Sequence, residues 1–554
     1  MPSPLTRSLP RGLTGSSPRQ LSLSTSLAPT SLVSSRHFSF KKGPLPKEKV
    51  VILGSGWAGY SLARTLSPQK YDRIIISPRP YFVFTPLLAS TSVGTLEFRT
   101  ILEPVRRLPG GNIHFYQGWA DDIDFSRKTI TVETNAAEEA ASKTVVPPPG
   151  GQIPLRDKGE VIQVPYDKLI IACGAYSQTF GIEGVREHAH FLRDIGDARR
   201  VRLRVLSLFE QCSYPSSSSS SSSPRSGGGG PSSSSSGHLL TDDDKRALLH
   251  FAVVGGGPTG IEWAAELHDF IRDDLGAMYP ELMPFVKITV YDVAPKVLPM
   301  FDKALADYAM GHFARQGIEV KTEHHLERIR LADGKLGRRH GAVQIKIREV
   351  KENGGEVGAG MVVWSTGLMA NPLIAKLAEK EVVVEKSKNP MTGEVLERRR
   401  LVRDKRSGGL VVDGYMRALS VDADAKGEEG KELEKKPLEG VYVIGDCSFI
   451  ENEPLPKTAQ VAAQEAQYLA KELNKGITPG EKGKEFKFRN WGTMTYLGGW
   501  KAIHQSKADE LKGWVAWVLW RGAYLTKAMS WRNKLLVPIY WVISWIFGRG
   551  ISRF

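Results

Sequence analysis

Two glycine-rich turns are the part of this sequence best suited to chemistry. Each follows a short apolar run typical of a buried parallel strand, at residues 50–53 and 251–254, and precedes small residues typical of a helix. Glycine permits the tight turn and lets a pyrophosphate approach the backbone N–H groups at the start of the helix. One such turn alone is a weak signal, but two in one chain predict two dinucleotide sites. Their residues are Gly54, Ser55, Gly56, Trp57, Ala58 and Gly59 in the first turn, and Gly255, Gly256, Gly257, Pro258, Thr259 and Gly260 in the second.

The residue that ends the next strand indicates which nucleotide each turn binds. A carboxylate is expected there, about 20 residues on, to accept hydrogen bonds from the ribose hydroxyls. In the second unit this residue is Asp292, which would also repel the extra phosphate of NADPH, so the second site should prefer NADH. In the first unit the residue is Ser77, whose hydroxyl can still bond a ribose.

Three further strand ends point to a flavin dinucleotide in the first site. Residues 169–175 and 362–367 are apolar runs that end in a small residue and glycine, and they resemble the paired strand-end motifs of two-dinucleotide flavoproteins. A third run, residues 440–446, resembles the motif whose aspartate bonds the ribityl chain of the flavin, which implies that role for Asp446. The cofactor contacts predicted at these strand ends are Ala172, Gly174, Thr366, Gly367, Gly445 and Asp446.

A helix predicted at residues 458–469 supplies a second group of candidate residues. Thr458 is its expected N-cap, and the positive end of its dipole would stabilise an anionic flavin ring. Gln460 and Gln464 lie four residues apart on one face of this helix. Glu262 lies one turn inside the second glycine-rich helix, where a carboxylate can orient substrates or relay a proton. The alternatives are exposed polar residues for the glutamines and a surface salt bridge for the glutamate.

Four segments are similar to the type II, non-proton-pumping NADH:ubiquinone oxidoreductases of fungal mitochondria. They are residues 77–88, 258–262, 458–465 and 531–553, and the similarity extends over residues 49–554 apart from two polar insertions. The resemblance implies bound FAD, with NADH and ubiquinone as co-substrates and no proton pumping. The fold it implies is α/β, with two Rossmann-like dinucleotide-binding domains.

The same resemblance implies roles for individual residues. Glu262 would lie near the nicotinamide and flavin rings, and the face that carries Gln460 and Gln464 would border the quinone headgroup. Relatives often have histidine where this chain has Ala463, so a proton-donating role for that position is excluded. Further contacts with the flavin dinucleotide are implied for Ser77, Arg79, Thr85, Thr458 and Ala459.

Composition and charge agree with a peripheral flavoenzyme. The chain is 41% hydrophobic and 24% charged, which is typical of soluble globular proteins, and its net charge of +15 suggests an anionic partner or a basic targeting segment. The three cysteines, Cys173, Cys212 and Cys447, are far apart and form no C-x-x-C pair. Neither a disulfide framework nor a metal site is therefore predicted, and a reducing compartment is favoured.

The first 47 residues have the composition of a mitochondrial presequence. They are rich in serine and arginine and contain no acidic residue. Arg36 precedes a plausible processing site, which would place the mature N-terminus near Ser39. No apolar stop-transfer segment follows, so the chain should enter the matrix and work on the matrix side of the inner membrane.

Composition also divides the chain into domains. The predicted units are a presequence (1–38), the first part of the FAD domain (46–200), a Ser/Gly-rich insertion (212–246), the NADH domain (247–370), the second part of the FAD domain (371–480) with a polar insertion (386–436), and a C-terminal region (485–554). The two insertions are expected to be peripheral.

The C-terminal region predicts membrane docking. It holds eight of the twelve tryptophans, with interspersed Lys and Arg, and its longest uncharged run, residues 535–548, is too short to span a bilayer. Such helices are expected to lie in the membrane interface. Relatives use this region for docking and dimerisation together, so a homodimer is also expected, and removal of residues 510–554 should release soluble, flavinated protein.

Two alternative functions remain open at this point. A sulfide:quinone oxidoreductase would need paired active-site cysteines, and Cys173 has no plausible partner at the equivalent second strand end, residues 362–367. An apoptosis-inducing-factor-like protein would bind NADH chiefly to signal and would use a basic surface for DNA, but it would lack the glutamine-bearing helix and the aromatic C-terminal region. No nucleic-acid partner is therefore predicted.

Overall fold

The computed structural model describes residues 47–111, 113–134, 159–214, 240–389, 393–424, 433–451, 453–480, 483–507 and 509–552. The predicted presequence at 1–38 lies outside the described residues, as does most of the insertion predicted at 212–246. The remainder, Lys47–Phe554, forms one unit that contains both nucleotide domains.

The first domain is built on a sheet whose central strands are parallel. Strand Glu48–Leu53 lies between Tyr71–Ser77 and Lys168–Ile171, and its last four residues are buried, which explains their continuous apolar run. Parallel strands end at the same edge of a sheet, so the first glycine turn, Ser77 and Ala172 meet there. In order, the strands are Glu381–Asn389, Gly393–Leu401, Arg417–Asp422, Lys436–Val443, Lys168–Ile171, Glu48–Leu53, Tyr71–Ser77 and Ile113–Gln117, and Leu410–Val412 joins Arg417–Asp422 to Ser448–Ile450.

The second domain repeats this arrangement with a smaller parallel sheet. Strand His250–Val254 lies between Met361–Trp364 and Lys287–Tyr291, so Gly255, Asp292 and Ser365 follow neighbouring strand ends. The full order is His190–Phe191, Met361–Trp364, His250–Val254, Lys287–Tyr291 and Ile318–Lys321. The two Rossmann-like units predicted from the sequence are therefore both present.

Smaller sheets and the helices complete the described part of the fold. The antiparallel strands are Tyr81–Val83 with Leu102–Pro104; Trp119–Asp124, Thr129–Glu133 and Val161–Pro165; Ala175–Ser177 with Leu368–Ala370; Leu326–Leu331, Val343–Ile347 and Glu356–Ala359; and Thr493–Gly498, Lys501–Gln505 and Glu510–Gly513. The α-helices are Trp57–Thr65, Leu88–Ser92, Val185–His188, Ile195–Cys212, Asp242–Leu248, Pro258–Phe270, Gly276–Met278, Lys303–Arg315, Gly334–His340, Pro372–Glu379, Ala459–Asn474, Trp514–Lys527 and Trp531–Phe547.

The prediction that residues 386–436 form a peripheral polar insertion is wrong for most of the described part of this segment. Strand Gly393–Leu401 pairs with Arg417–Asp422 inside the first sheet, and Leu410, Val412 and Ala418 are fully buried in the core. The strands Leu410–Val412 and Arg417–Asp422 are each buried over several consecutive residues, and even the charged Arg399 on the neighbouring strand is buried. The segment therefore belongs to the first domain's core and is not a peripheral loop.

The predicted boundary between the two domains is also displaced. Strand His190–Phe191 pairs with Met361–Trp364 at the edge of the second sheet, although it was assigned to the first domain. The helix Ile195–Cys212 follows it, and Arg204 on this helix donates hydrogen bonds to the carbonyl oxygens of Gly341 and Gly360. The second domain therefore begins near residue 190 and not at 247.

The two C-terminal helices, Trp514–Lys527 and Trp531–Phe547, pack against the rest of the chain through one face. Trp517, Trp520, Val537 and Trp541 are buried in the main core. This burial does not support the expectation that residues 510–554 can be removed without damage, because the core would be exposed. Within the described residues, no helix is both long and apolar enough to span a bilayer.

Candidate functional site

A cavity of about 580 Å³ lies where the two nucleotide turns approach each other. Both domains line it, and so does the helix Ala459–Asn474, called the glutamine helix below. The predicted site residues that line the cavity are Gly54, Ser55, Gly56, Trp57, Ala58, Ser77, Arg79, Thr85, Ala172, Gly174, Pro258, Thr259, Glu262, Thr366, Gly367, Gly445, Asp446 and Ala459. Those that do not are Gly59, Gly255, Gly256, Gly257, Gly260, Asp292, Thr458, Gln460 and Gln464.

The first turn has the shape that a pyrophosphate requires. Gly54 has a φ of +113°, and a Cβ there would overlap the carbonyl oxygen of Ala172. A Cβ on Gly59 would overlap the carbonyl oxygen of Gly54, so this glycine packs the helix against the strand. Gly56, in contrast, has open space around its Cβ position and lines the cavity. The turn therefore leaves its backbone accessible to the diphosphate of FAD.

Ser77 occupies the strand end where a ribose-binding acid is usual. Its hydroxyl lies 2.9 Å from the hydroxyl of Ser55 and accepts a hydrogen bond from the backbone N–H of Arg79. Both serines and Arg79 line the cavity. This placement agrees with the predicted cofactor contacts of Ser77 and Arg79, which remain predictions at the level of single residues.

Two ion pairs beside the cavity were not found from the sequence. The Arg79 guanidinium lies 3.2 Å from the buried Asp194 carboxylate, and the Arg193 guanidinium lies 3.8 Å from that of Asp446. Burial raises the pKa of Asp446, although Arg193 and Lys457 oppose this shift. The buried Nη1 of Arg193 has no hydrogen-bond partner among the described residues, so a donor remains for an anionic cofactor. No motif marks Arg193 or Asp194, because the second sheet positions them.

The second turn repeats the geometry of the first. Gly255 has a φ of +114°, and a Cβ on Gly260 would overlap the carbonyl oxygen of Gly255. Asp292 follows the next strand, where its carboxylate accepts hydrogen bonds from the backbone N–H groups of Gly256 and Ala294. The acid is thus fixed beside the turn, where it would meet the ribose of a bound nicotinamide dinucleotide.

The glutamine helix begins as predicted. Thr458 is its N-cap, and the side-chain oxygen of Thr458 accepts a hydrogen bond of 3.3 Å from the backbone N–H of Val461. Ala459 and Ala462, in its first turn, line the cavity, so the positive end of the helix dipole points at the site. Glu465 accepts a hydrogen bond of 2.6 Å from the backbone N–H of Gly445, and burial raises its pKa to about 8. Sequence reasoning did not assign Glu465 a role.

The two predicted glutamines contact the neighbouring chain segment and do not line the cavity. Gln464 exchanges two hydrogen bonds with the backbone of Arg489, at 2.9 and 3.0 Å. Gln460 accepts from the backbone N–H of Trp491 and donates to the carbonyl oxygen of Gly492. Both amides therefore hold the segment 489–492 against the helix. Their predicted contact with a quinone headgroup stays a prediction.

Glu262 is buried in the wall of the cavity. Its carboxylate accepts hydrogen bonds from the backbone N–H of Tyr496 at 3.2 Å and from the indole N–H of Trp520 at 3.4 Å. Burial raises its pKa to about 8. The alternative of a solvent-exposed salt bridge does not fit this position, and both donors come from the C-terminal region. A buried carboxyl group of this kind can hold and release a proton near neutral pH.

Cys173 lies beside Cys447, a contact between neighbouring strand ends that was not predicted from the sequence. A hydrogen bond with Cys447 and burial raise the pKa of the Cys173 thiol well above its usual range. The strand ends 168–171 and 436–443 are neighbours in the first sheet, which brings the two residues together. Cys447 is fully buried, and its thiol donates to backbone carbonyl oxygens. The raised pKa makes the Cys173 thiol a poor nucleophile, and Cys447 is buried and does not line the cavity, so both cysteines fit a packing role.

This fold and this cavity define a two-dinucleotide flavoprotein. Residues 48–391 match the family described as pyridine nucleotide-disulphide oxidoreductase, and residues 491–550 match the NDH2 C-terminal domain. The chain belongs to this oxidoreductase family and, within it, to the type II NADH dehydrogenases, which confirms the resemblance stated from the sequence.

Relatives match nearly the whole chain. A probable NADH dehydrogenase of Dictyostelium discoideum is 32% identical, and the match covers 92% of this chain and 92% of the relative. An internal alternative NAD(P)H-ubiquinone oxidoreductase of Solanum tuberosum mitochondria is 32% identical, with 92% of this chain and 88% of the relative covered. Among solved structures, NDH2 of Plasmodium falciparum in complex with NADH has a TM-score of 0.69 at 23% identity, and the match covers 92% of this chain and all of that one. That likeness confirms the fold.

Proposed function

We propose that this chain is a non-proton-pumping NADH:ubiquinone reductase, which catalyses NADH + H⁺ + ubiquinone → NAD⁺ + ubiquinol. The observation that carries the proposal is a single cavity bounded by both nucleotide turns and by the buried carboxyl group of Glu262. Membership of the type II family and the names of the full-length relatives support it. FAD, when bound, accepts a hydride from NADH and passes two electrons to the quinone.

The residues of the first site would hold FAD through backbone contacts, positive charge and hydrogen bonds. The backbone of residues 54–58, which lines the cavity, would hold the diphosphate, and the Arg79 and Arg193 guanidinium groups would supply positive charge for it. Asp446 would accept hydrogen bonds from the ribityl hydroxyls, since its carboxylate lines the cavity. Thr85, which accepts a hydrogen bond of 2.9 Å from the Trp57 indole, would fix the same wall.

Glu262 would supply a proton to the quinone. Ubiquinol formation adds two protons to the quinone oxygens, and a carboxyl group that is protonated near neutral pH can donate one of them. Glu262 lies in the cavity wall beside Tyr524, so it can reach a molecule bound there. Gln460 and Gln464 would shape the entrance indirectly, because they hold the segment 489–492 against the glutamine helix.

The outer face of the C-terminal helices supports membrane docking. On the helix Trp531–Phe547, exposed apolar side chains recur at helical spacing, opposite the buried Val537 and Trp541. These exposed residues are Trp531, Leu535, Ile539, Val542 and Ile546. Trp514, Val515 and Val518 extend this surface from the preceding helix. We propose that it lies in the interface of the mitochondrial inner membrane, close to the pool of ubiquinone.

Changing three of these side chains should release the protein from membranes. The variant Leu535→Gln/Ile539→Gln/Ile546→Gln is expected to lose vesicle binding by a factor on the order of 10³ or more, since each buried aliphatic side chain contributes about 1.5–3 kcal/mol. Co-sedimentation with liposomes measures this. Oxidation of NADH by a short-chain, water-soluble quinone should stay within about twofold of wild type, because the substitutions lie outside the cavity.

A matched control uses the same chemistry elsewhere. Val161 and Leu331 are also exposed apolar residues, but they lie on the two three-stranded sheets away from the C-terminal helices. Val161→Gln/Leu331→Gln should bind vesicles like wild type. Equal loss of binding in both variants would contradict a specific docking face.

The side of the membrane and the oligomeric state belong to the proposal as well. We infer a matrix-facing enzyme from the presequence composition and a homodimer through the C-terminal region. Internal and external plant relatives are equally similar, at 31–33% identity, so similarity does not decide between the two faces. Protease treatment of mitoplasts tests the first inference: degradation once only the outer membrane is opened would contradict it.

Asp292 should determine the preference for NADH over NADPH. We expect Asp292→Asn to raise the ratio of kcat/KM for NADPH to that for NADH at least about tenfold, because the carboxylate charge repels the extra phosphate. The amide has one oxygen, so it can accept from only one of the backbone N–H groups of Gly256 and Ala294, which bond the two different oxygens of the Asp292 carboxylate. FAD content should be unchanged, because Asp292 does not line the cavity that would hold FAD. Steady-state kinetics with both nucleotides measure the ratio, and an unchanged ratio would show that specificity resides elsewhere.

The reaction itself is tested with detergent-solubilised protein. NADH oxidation should accelerate strongly when a short-chain ubiquinone is added, and ubiquinol should accumulate in equal amount to NAD⁺. An apoptosis-inducing-factor-like protein would bind NADH but show little quinone-dependent turnover. That result would overturn the proposed function.

A further inference from the structure

We propose that Glu266 is a proton-relay residue that returns to Glu262 the proton which each quinone reduction consumes. Glu266 lies on the same helix as Glu262, one turn further from the cavity, and it does not line the cavity. The proposal rests on the proposed function, since it assigns a role in the quinone half of that reaction.

The need for a relay follows from the proton balance. A hydride from NADH carries two electrons and one proton, whereas ubiquinol formation takes two electrons and two protons. One proton per turnover must therefore come from solvent. Glu262 is buried, and Tyr496 and Trp520 cover its carboxylate. Once Glu262 has given up its proton, the bulk solvent needs a path to it through the protein.

Glu266 is placed to provide this path. Residues four apart on a helix have Cβ atoms about 5–6 Å apart, so one bridging water can connect the two carboxyl groups. Glu266 is buried, and its carboxylate accepts hydrogen bonds from the hydroxyls of Ser90 at 2.6 Å and Thr95 at 2.9 Å. Hydroxyl groups can both donate and accept, so this contact can also pass a proton.

The groups that face Glu266 include some that favour its protonated form and some that favour its ionised form. Burial is the main cause that raises its pKa, and Asp269 adds to this, while Arg549 and the two hydroxyl groups favour the ionised form. The Coulombic coupling between Glu262 and Glu266 means that ionisation of one favours protonation of the other. Three other titratable or charged groups interact electrostatically with Glu262 or Glu266. They are Tyr496, from the strand Thr493–Gly498, and Arg521 and Tyr524, from the helix Trp514–Lys527.

The outer end of the path lies at the C-terminal tail. The Thr95 hydroxyl that bonds Glu266 also accepts a hydrogen bond of 3.0 Å from the Arg549 guanidinium. Arg549 pairs with Asp274 at 2.7 Å and with Asp273 at 3.5 Å, and the Asp273 side chain is 41% exposed. Solvent therefore approaches within a few side chains of Glu266 at this cluster. Arg549 keeps its charge, so it orients the Thr95 hydroxyl and does not carry the proton itself. A water molecule that enters at this cluster would give a proton to the Thr95 oxygen while the hydroxyl passes its own proton to Glu266, and Glu266 would pass one on to Glu262.

The test separates the two half-reactions by anaerobic stopped flow. In Glu266→Gln, reduction of bound FAD by NADH should stay within about twofold of wild type. Reoxidation by a short-chain ubiquinone should slow at least tenfold and gain a larger solvent isotope effect. Its fall with rising pH should move to lower pH, because the neighbouring carboxylate that helps to raise the pKa of Glu262 is gone. Glu266→Asp should restore much of the rate with a shifted pH profile, because it keeps a titratable group. Glu472→Gln, a buried glutamate paired with Lys475 on the glutamine helix, is the matched control and should behave like wild type.

Several results would overturn the relay. One is a quinone half-reaction in Glu266→Gln that keeps its rate and pH profile. Another is an isosteric Gln variant that is faster than the shorter Asp variant, since that order indicates a role of shape. If Glu266→Gln fails to fold, the pH profile of Glu266→Asp decides, and an unchanged profile overturns the proposal. Failure of the wild-type protein to reduce quinone would instead overturn the proposed function.

Discussion

Gly54→Ala is expected to yield protein that retains no FAD. Gly54 has a φ of +113°, a conformation that costs an L-residue about 1–2 kcal/mol, and the added Cβ would also overlap the carbonyl oxygen of Ala172. Relief of this overlap must move either the turn or the neighbouring strand end, and both line the cofactor cavity. The flavin absorbance of the purified protein relative to its protein content measures the effect.

Gly476→Ala provides a control with the same kind of backbone strain. Gly476 follows the glutamine helix with a φ of +73°, but its Cβ position is open and lies outside the cavity. We expect this variant to lose about 1 kcal/mol of stability and to keep its FAD. Retention of normal FAD in Gly54→Ala would show that the first turn tolerates a side chain and does not bind the diphosphate closely.

The second large effect is expected for Glu262→Gln, in the quinone half-reaction. Burial raises the pKa of Glu262 to about 8, so wild-type quinone reduction should fall as the pH rises through about 8, where the proton is lost. The amide oxygen keeps the hydrogen bonds from Tyr496 and Trp520, but the amide cannot give a proton to the quinone and then take up another. We expect at least a hundredfold slower reoxidation of FAD by quinone, with a flat pH profile and normal reduction by NADH.

Glu262→Gln should also remove the pH dependence that the Glu262 carboxyl group gives to the stability of the protein. A carboxyl group whose pKa is raised by folding stabilises the folded state fully at pH values below its unfolded pKa, near 4.5. This contribution is lost as the pH rises through about 8, because a buried charge is then created. The Tm of Glu262→Gln relative to wild type should therefore be higher at pH 9 than at pH 6. A constant difference in Tm, measured by differential scanning calorimetry, would contradict a raised pKa.

Local residue patterns predicted much of the fold. The apolar runs before both glycine turns become buried parallel strands, and Thr458 caps the helix that its position indicated. Asp292 follows its strand as expected, and Asp446 and Glu262 line the cavity, while the roles of all three stay predictions. These features depend on contacts within one strand–turn–helix unit, so the local sequence is sufficient to predict them.

The predictions that failed concern contacts between distant segments. The average composition of 386–436 is charged and concealed core strands in this segment, because the buried runs are only three or four residues long and the buried Arg399 reads as a surface residue. The pairing of His190–Phe191 with the second sheet moved the domain boundary, and the contact of Cys173 with Cys447 at neighbouring strand ends was not predicted.

The sequence by itself indicated two dinucleotide sites and membership of the type II family, and it predicted the preference of the second site for NADH. Only the tertiary structure decided how the parts share one site. Burial is a property of the whole fold, so no motif could show that Trp520 and Tyr496 enclose Glu262 or that Ser90 and Thr95 bond Glu266. The protonation of these carboxyl groups depends on that burial, because desolvation is the main cause that raises their pKa values. For Glu262, the enclosing residues Tyr496 and Trp520 lie more than two hundred positions away in the sequence.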